Sequence, residues 1–160
     1  MDRIDKILNH DLFLYHLGKN NAAEADRRFC RHSMVHFLDV ARIGTIIALE
    51  EGLKVDREWI YAAALLHDCG KHEQYENGTP HEQASARIAP EILKACGFND
   101  EETGVIVTAI SRHRDPEAAK EKNLNGILYR ADKASRACFA CNMEKDCNWK
   151  DGKKNLVIKY

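Results

Sequence analysis

The sequence predicts an all-α protein, and three observations support this fold class. Apolar residues recur at helical spacing along nearly the whole chain. Helix-capping residues and glycines stand at the ends of these apolar segments. No repeat, linker or low-complexity stretch interrupts the 160 residues, a length that suits one ordinary domain with a substantial core. We therefore expect one all-α domain over residues 1–160.

Two helices are predicted in the N-terminal third. The first closes at Gly18, and its apolar face comprises Ile4, Ile7, Leu8, Leu12 and Tyr15. The second opens at the N-cap Asn21, with Glu24 three residues later, runs toward Glu50 and ends at Gly52.

The next two helices surround the middle of the chain. Asp56 can cap a third helix that stops at Gly70. Residues 79–82, with the sequence Thr-Pro-His-Glu, resemble a capping box with proline at the first helical position. This places His81 in the first turn of a fourth helix, which Pro90 is expected to break or kink.

Two further helices complete the prediction. Asn99 opens one of them, which runs to His113 before an Asp-Pro turn. The last helix covers Leu124 to about Phe139, with its end uncertain by about 2–4 residues. The tail over residues 155–160 is either a short strand or an ordered extension.

Composition excludes several classes of protein. The chain is 44% hydrophobic and 31% charged, as in globular proteins, and its formal net charge is −1. This balance argues against a general nucleic-acid binder or a membrane-surface protein, since both favour basic excess. No apolar run approaches the roughly 20 residues of a membrane span. Charged residues occupy the place of a signal peptide's apolar core, so we expect a cytoplasmic protein.

The dipeptide His67-Asp68 is the most informative feature of the chain. It follows an apolar helical segment, where an imidazole and a carboxylate can both reach one buried metal ion. The two oxygens of Asp68 suit it to bridge two ions. Lys71 lies one turn beyond His67, where its ammonium group could meet a substrate phosphate. Further residues of the same two types, which could also bind metal, are His36, His81, His113 and Asp132.

Each of these other residues also has a structural interpretation. His36 and His32 are four residues apart on one helix and can point at the same neighbour. His113 could instead be a favourable charge at a helix C-terminus. Asp132 could form a surface salt bridge with Arg136, four residues later. The set as a whole nevertheless favours a two-metal site in a helical bundle.

The ordered residues His36, His67-Asp68 and Asp132 resemble the pattern of the HD-domain metal-dependent phosphohydrolases. Residues 36–44 resemble the first histidine motif of that family, which favours His36 over His32 as a ligand, and residues 65–71 resemble its central motif. The additional His81 and His113 are similar to the two-metal subgroup. That subgroup includes HD-GYP phosphodiesterases and bacterial diadenosine tetraphosphate hydrolases.

The resemblance covers residues 28–136 and implies an HD-domain helical bundle. Residues 129–133 look especially like the diadenosine tetraphosphate hydrolases, whereas no Gly-Tyr-Pro tripeptide follows His113, which weakens the cyclic-dinucleotide alternative. The family implies two ions, iron or manganese, bridged by Asp68 and activating a hydroxide. The implied terminal ligands are His36, His67, His81, His113 and Asp132. Lys71 would hold phosphate oxygens, with Lys133 and Arg136 as weaker candidates.

A cysteine-containing C-terminal extension, residues 138–160, lies outside the family pattern. Cys138, Cys141 and Cys147 have C-x2-C-x5-C spacing, which suggests a structural zinc site that needs a fourth ligand. Cys30 is the best choice for that ligand, because its helix carries His36 and His36 should meet Asp132. Ordinary buried or surface thiols are an equally good explanation.

The leading functional hypothesis is a phosphohydrolase acting on a phosphate mono- or diester, with a nucleotide or dinucleoside polyphosphate as substrate. An alternative is a di-iron oxygenase of the HD fold that acts on a small substrate. A third is a nucleotide sensor without catalytic activity, which the full ligand set disfavours. Basic residues near the predicted site favour an anionic substrate over a neutral one.

Overall fold

The computed structural model describes all 160 residues and contains only helical elements, which confirms the predicted all-α class. Four short 3-10 helices supplement the α-helices, at residues 116–120, 138–140, 144–146 and 151–153. No helix combines the length and apolar character needed to cross a membrane. The eight α-helices are α1 (Asp2–Leu8), α2 (Asp11–Ala23), α3 (Met34–Glu50), α4 (Arg57–Leu66), α5 (Lys71–Asn77), α6 (His81–Ala95), α7 (Asp100–Arg112) and α8 (Leu124–Ala134).

The predicted first helix is two helices in the structure. The chain breaks after α1, and the His10 ring accepts a hydrogen bond from the backbone N–H of Leu12 at the start of α2. The predicted stop at Gly18 was wrong, since α2 continues to Ala23. Its buried face, which includes Asn20, packs against α5, so tertiary contacts carry the helix past the glycine.

The link between α2 and α3 also differs from the prediction. Asn21 lies inside α2 instead of capping a long helix, and residues 24–33 form an irregular link. The Glu24 carboxylate accepts hydrogen bonds from both the backbone and the ring of His32, which fixes the turn of this link. The predicted end near Glu50 is confirmed, and Gly52 adopts a positive φ of 64° just beyond it.

The helices around the His-Asp turn follow the prediction in part. Asp56 caps α4 by accepting a hydrogen bond from the Glu58 N–H at 2.7 Å. Helix α5 was not predicted. His81 is the first helical residue of α6, as expected. The predicted capping box does not form, because the Thr79 hydroxyl donates its hydrogen bond to Asn77 Oδ1 instead. Helix α6 also continues through Pro90.

The last two helices complete the core. The Asn99 capping box on α7 is confirmed, whereas α8 ends at Ala134, five residues before the predicted Phe139. The Ser135 hydroxyl donates to the Asp132 carbonyl oxygen at 2.8 Å at this earlier end. Helices α3, α4, α7 and α8 pack against one another, with α6 against α7. Fully buried side chains of this core include Phe37, Ile47, Leu65, Leu66, Ile106, Ile110 and Ile127.

Candidate metal centre

The predicted ligands come from separate elements and converge at helix ends. His67 and Asp68 form the turn between α4 and α5, where the apolar end of α4 buries both completely or nearly so. The remaining four lie in the first turn of α3, at the start of α6, just after α7 and in the last turn of α8. These residues are His36, His81, His113 and Asp132, and all are buried.

The first group of ligand atoms contains His36, His67, Asp68 and Asp132, all within 4.8 Å of one another. Asp68 Oδ2 lies 3.5 Å from His36 Nε2 and 3.1 Å from His67 Nε2. Asp132 Oδ1 lies 3.4 Å from His36 Nε2 and 3.8 Å from His67 Nε2. Two imidazoles and two carboxylates therefore face one small volume.

The second group contains Asp68, His81 and His113, again within 4.8 Å of one another. The other oxygen of Asp68, Oδ1, lies 3.2 Å from His81 Nε2 and 3.6 Å from His113 Nε2. The two histidine Nε2 atoms are 3.1 Å apart. Asp68 is thus the one residue that belongs to both groups, with a different oxygen directed at each.

These separations suit metal coordination. Two ligand atoms that each lie about 2.1 Å from one ion, at right angles, are about 3 Å apart. The Asp68–imidazole distances of 3.1–3.6 Å are close to that value. Imidazole and carboxylate together suit iron, manganese and zinc.

Hydrogen bonds orient the imidazoles so that Nε2 is available. Nδ1 of His67 lies 2.7 Å from the Ala64 carbonyl oxygen, and Nδ1 of His113 lies 2.7 Å from that of Ile110. A carbonyl can only accept, so both Nδ1 atoms carry the hydrogen and both Nε2 atoms keep a lone pair.

The other two histidines follow the same arrangement. His81 Nδ1 lies 2.6 Å from Gln74 Oε1. His36 Nδ1 lies 3.1 Å from the hydroxyl of Ser135. In each case an oxygen on the outer side of the ring accepts the Nδ1 hydrogen and leaves Nε2 directed at Asp68.

Two buried polar atoms at the centre have no hydrogen-bond partner, namely His67 Nε2 and Asp68 Oδ1. Such atoms cost free energy when they are buried without a partner. A cation bound by both groups would satisfy them. The residues present therefore fit a metal centre.

The electrostatics of the centre favour a bound cation. Burial alone would lower the pKa of His67, but the charge of Asp68 and hydrogen bonds with Asp132 and Asp68 raise it to about 10. Burial would raise the pKa of Asp68, yet the charges of His67 and His32 hold it well below its usual range. The position that stabilises a proton on His67 is also favourable for a metal ion.

His32, which the family resemblance disfavours relative to His36, lies beside the first group. Its Nε2 atom lies 3.8 Å from Asp68 Oδ2, and its Nδ1 atom contacts Glu24 Oε1 at 2.5 Å. Tyr75 donates a further hydrogen bond to Glu24 at 2.6 Å. The four-residue spacing to His36 was the available signal, because it places both rings on one side of the chain.

Asn20 was missed entirely. Its side-chain amide donates to the Asp68 carbonyl oxygen and accepts from the His72 N–H, both at 2.8 Å. This fully buried residue therefore holds the backbone of the His-Asp turn against α2. A single asparagine inside a helix gives no signal in the sequence.

The predicted phosphate-binding cations take different positions. The buried Lys71 ammonium lies 3.2 Å from His81 Nδ1, on the outer side of that ring. Lys133 contacts Asp132 Oδ2 at 2.5 Å and is partly exposed. Arg136 Nη2 lies 3.2 Å from His36 Nε2, on the side that faces the ligand group. Lys133 is therefore the cation nearest Asp132, and Arg136 is the cation nearest His36.

A cavity of about 220 Å³ opens beside the first group. His36, Ser135 and Arg136 line it on the side of the ligands, and Cys30 lies on its wall. A molecule that enters this cavity meets the Arg136 guanidinium next to His36. A larger surface groove of about 530 Å³, along α7 and the start of α8, contains none of the ligands.

The four cysteines of the predicted zinc site do not form part of either ligand group. All four are free thiols: Cys30 is exposed, and the other three are half-buried. They are Cys30, Cys138, Cys141 and Cys147.

Comparison with known proteins gives three findings. Residues 34–137 match the family model described as "HD domain". An uncharacterized protein of Clostridium beijerinckii is 49% identical over 160 residues, which is the full length of both chains. A crystal structure of a predicted HD superfamily hydrolase from an uncultured Thermotogales bacterium superposes with a TM-score of 0.63 at 24% identity. The match covers 89% of this chain and 81% of that one, and it shows a shared fold.

Proposed function

The chain belongs to the HD domain family, and we propose that it is a metal-dependent phosphohydrolase with two ions that share Asp68. The division of the Asp68 oxygens between two histidine groups is the observation that carries this proposal. The structural relative is itself described as a predicted hydrolase, which agrees with it.

The proposed ligands follow the two groups. His36, His67 and Asp132 would hold one ion together with Asp68, and the Asp68 carboxylate would bridge to a second group. The second group adds His81 and His113. When bound, two such ions lower the pKa of water and neutralise the charge of a phosphate. Iron and manganese are the ions we propose, since both suit this mixed nitrogen and oxygen set.

The protein's own cations would orient the substrate. We assign Arg136 the main contact with non-bridging phosphate oxygens, because its guanidinium lies beside His36 at the cavity. Lys71 is separated from Asp68 by the His81 ring and adds positive charge at a greater distance. The buried wall formed by the end of α4 keeps bulk water from the ligands.

An anionic phosphate ester fits this arrangement better than a neutral substrate. Two cationic side chains lie beside histidines of the ligand groups, Lys71 next to His81 and Arg136 next to His36. A neutral substrate of an HD-fold oxygenase would have no use for both charges. We propose a nucleotide or dinucleoside polyphosphate as the substrate class, as the family resemblance of residues 129–133 implies.

The test is anaerobic purification with metal analysis, followed by hydrolysis assays on dinucleoside polyphosphates and simple phosphodiesters. We expect about two ions per chain. Asp68→Ala should lose both ions and all hydrolysis, whereas His113→Ala should lose the second ion preferentially. Asp100→Ala removes an exposed carboxylate of α7 and serves as the control.

Two results would contradict the proposal. One ion per wild-type chain, with activity retained in His81→Ala and His113→Ala, would leave a mononuclear enzyme. Oxygen consumption by the iron-loaded protein, without hydrolysis of any phosphate ester, would favour the oxygenase.

A further inference from the structure

The C-terminal segment, residues 133–160, has an ordered path but no core of its own. No residue after Asp132 is buried, and the apolar side chains at the end of the chain are exposed. The segment nevertheless forms three short 3-10 helices, and Asn155 bonds through its side chain to the carbonyl oxygens of Lys133 and Arg136. A segment that buries so little needs another source of stability, such as a disulfide or a metal.

Three thiols lie on this segment at its turns. Cys138 begins the first 3-10 helix, and the Cys141 N–H bonds to the Cys138 carbonyl oxygen at 3.2 Å. Cys147 ends the second 3-10 helix, where its N–H bonds to the Glu144 carbonyl oxygen at 3.3 Å. Tight turns between closely spaced cysteines are typical of thiolate metal sites.

The fourth thiol, Cys30, lies on the irregular link of residues 24–33, which contacts the C-terminal segment. Arg136 donates to the Arg31 carbonyl oxygen at 3.3 Å, and Arg28 lies 3.7 Å from the sulfur of Met143. Cys30 also shares the wall of the 220 Å³ cavity with Arg136. The link and the segment are therefore neighbours at the position of the thiols.

The lining of the cavity agrees with this placement. Ala137, the residue before Cys138, lines the same cavity as Cys30. The first thiol of the C-terminal segment is therefore next in sequence to a residue that shares this wall with Cys30.

We propose that Cys30, Cys138, Cys141 and Cys147 form a four-thiolate metal centre that fastens the C-terminal segment to the link between α2 and α3. Four thiolates suit either a zinc ion or an iron–sulfur cluster. No three of these sulfur atoms all lie within 4.8 Å of one another. Sulfurs that share one zinc ion are about 3.8 Å apart, so binding of zinc would draw the side chains together. A cluster, which contains several iron atoms, would hold them further apart.

The centre would also fix Arg136. This residue lies between the two sites, bonded to the Arg31 carbonyl oxygen on one side and beside His36 on the other. If the proposed phosphohydrolase function holds, the thiolate centre is a positioning element for the main phosphate contact. The existence of the thiolate centre does not depend on that function.

The test uses the full chain with Asp68→Ala, which removes the dinuclear site and leaves the cysteines intact. Zinc, iron and acid-labile sulfide are measured per chain after anaerobic purification, together with the absorbance at about 400 nm. We expect this variant to keep about one zinc ion, or one iron–sulfur cluster, per chain. Adding Cys141→Ser, or Cys30→Ser, should abolish that retained metal.

Cys96→Ala in the same background is the control, because Cys96 is a buried thiol of the core far from this cluster in sequence. Limited proteolysis should cleave the segment after residue 132 faster in the two serine variants than in the control. Equal metal content in all three variants would refute the centre. Loss of metal in the Cys141→Ser variant but not in the Cys30→Ser variant would refute Cys30 as the fourth ligand of the centre.

Discussion

Gly70, two residues after Asp68, couples the His-Asp turn to helix α6. A Cβ atom at this position would lie 2.7 Å from both the Ala84 Cβ and the Ser85 backbone nitrogen. The Gly70 N–H also donates to the Ser85 hydroxyl at 3.0 Å. We predict that Gly70→Ala destabilises the protein and preferentially weakens binding of the second ion.

The magnitude follows from these distances. Carbon atoms in ordinary contact are about 3.5 Å apart, so α6 would have to retreat by about 0.8 Å. Overpacking of this kind costs about 1–3 kcal/mol. For a chain of this size that corresponds to a Tm lower by about 2–12 °C. His81 is one helical turn before Ser85, so the same shift would move its Nε2 atom from its position 3.2 Å from Asp68 Oδ1.

The assay combines thermal unfolding of the metal-free protein with titration of manganese. Gly104→Ala is the matched control, because Gly104 lies within α7 and an added Cβ would meet no atom within 4 Å. That control should gain about 0.5–1 kcal/mol of stability from the better helix former. If Gly70→Ala kept wild-type stability and bound both ions with unchanged affinity, the packing argument would be refuted.

Two further predictions concern Arg136 and Asn20. Arg136→Ala should lower kcat/KM for phosphate esters by about 10²–10³-fold, because a charged contact with the transition state is lost. Lys71→Ala should lower kcat/KM less, and the reverse order would refute our assignment. Asn20→Ala leaves the buried Asp68 carbonyl and His72 N–H without partners. We therefore expect the free energy of unfolding, measured in urea, to fall by about 2–5 kcal/mol, and a decrease below about 1 kcal/mol would contradict this prediction.

Features with local signals could be predicted from the sequence. The end of α3 and the starts of α4 and α7 were predicted because Gly52, Asp56 and Asn99 are strong boundary residues. The six residues that form the two ligand groups could also be named in advance, because they stand in a recognisable order. For these boundary residues and ligands, the residue type and its position in the chain are sufficient for the prediction.

Features that depend on tertiary contacts could not be predicted. Asn21 and Glu24 resemble a helix start, but Glu24 instead binds His32 across the link, and no sequence rule assigns that partner. Gly18 resembles a helix end, yet the packing of α2 against α5 extends the helix. Our proposal that Arg136 ranks above Lys71 likewise rests on a tertiary feature, namely which side of a histidine ring each cation occupies.

The charge balance of the centre explains why phosphate recognition should depend on the ions. With the histidines neutral, as metal ligands must be, Asp68 and Asp132 contribute −2, and the buried Lys71 and the half-buried Arg136 contribute +2. The more exposed Lys133 is screened by water and adds little. With the histidines in this neutral form, the side chains by themselves offer a phosphate no net attraction. Two divalent ions would change the balance to about +4, so the ions that activate water would also supply the charge that holds the substrate.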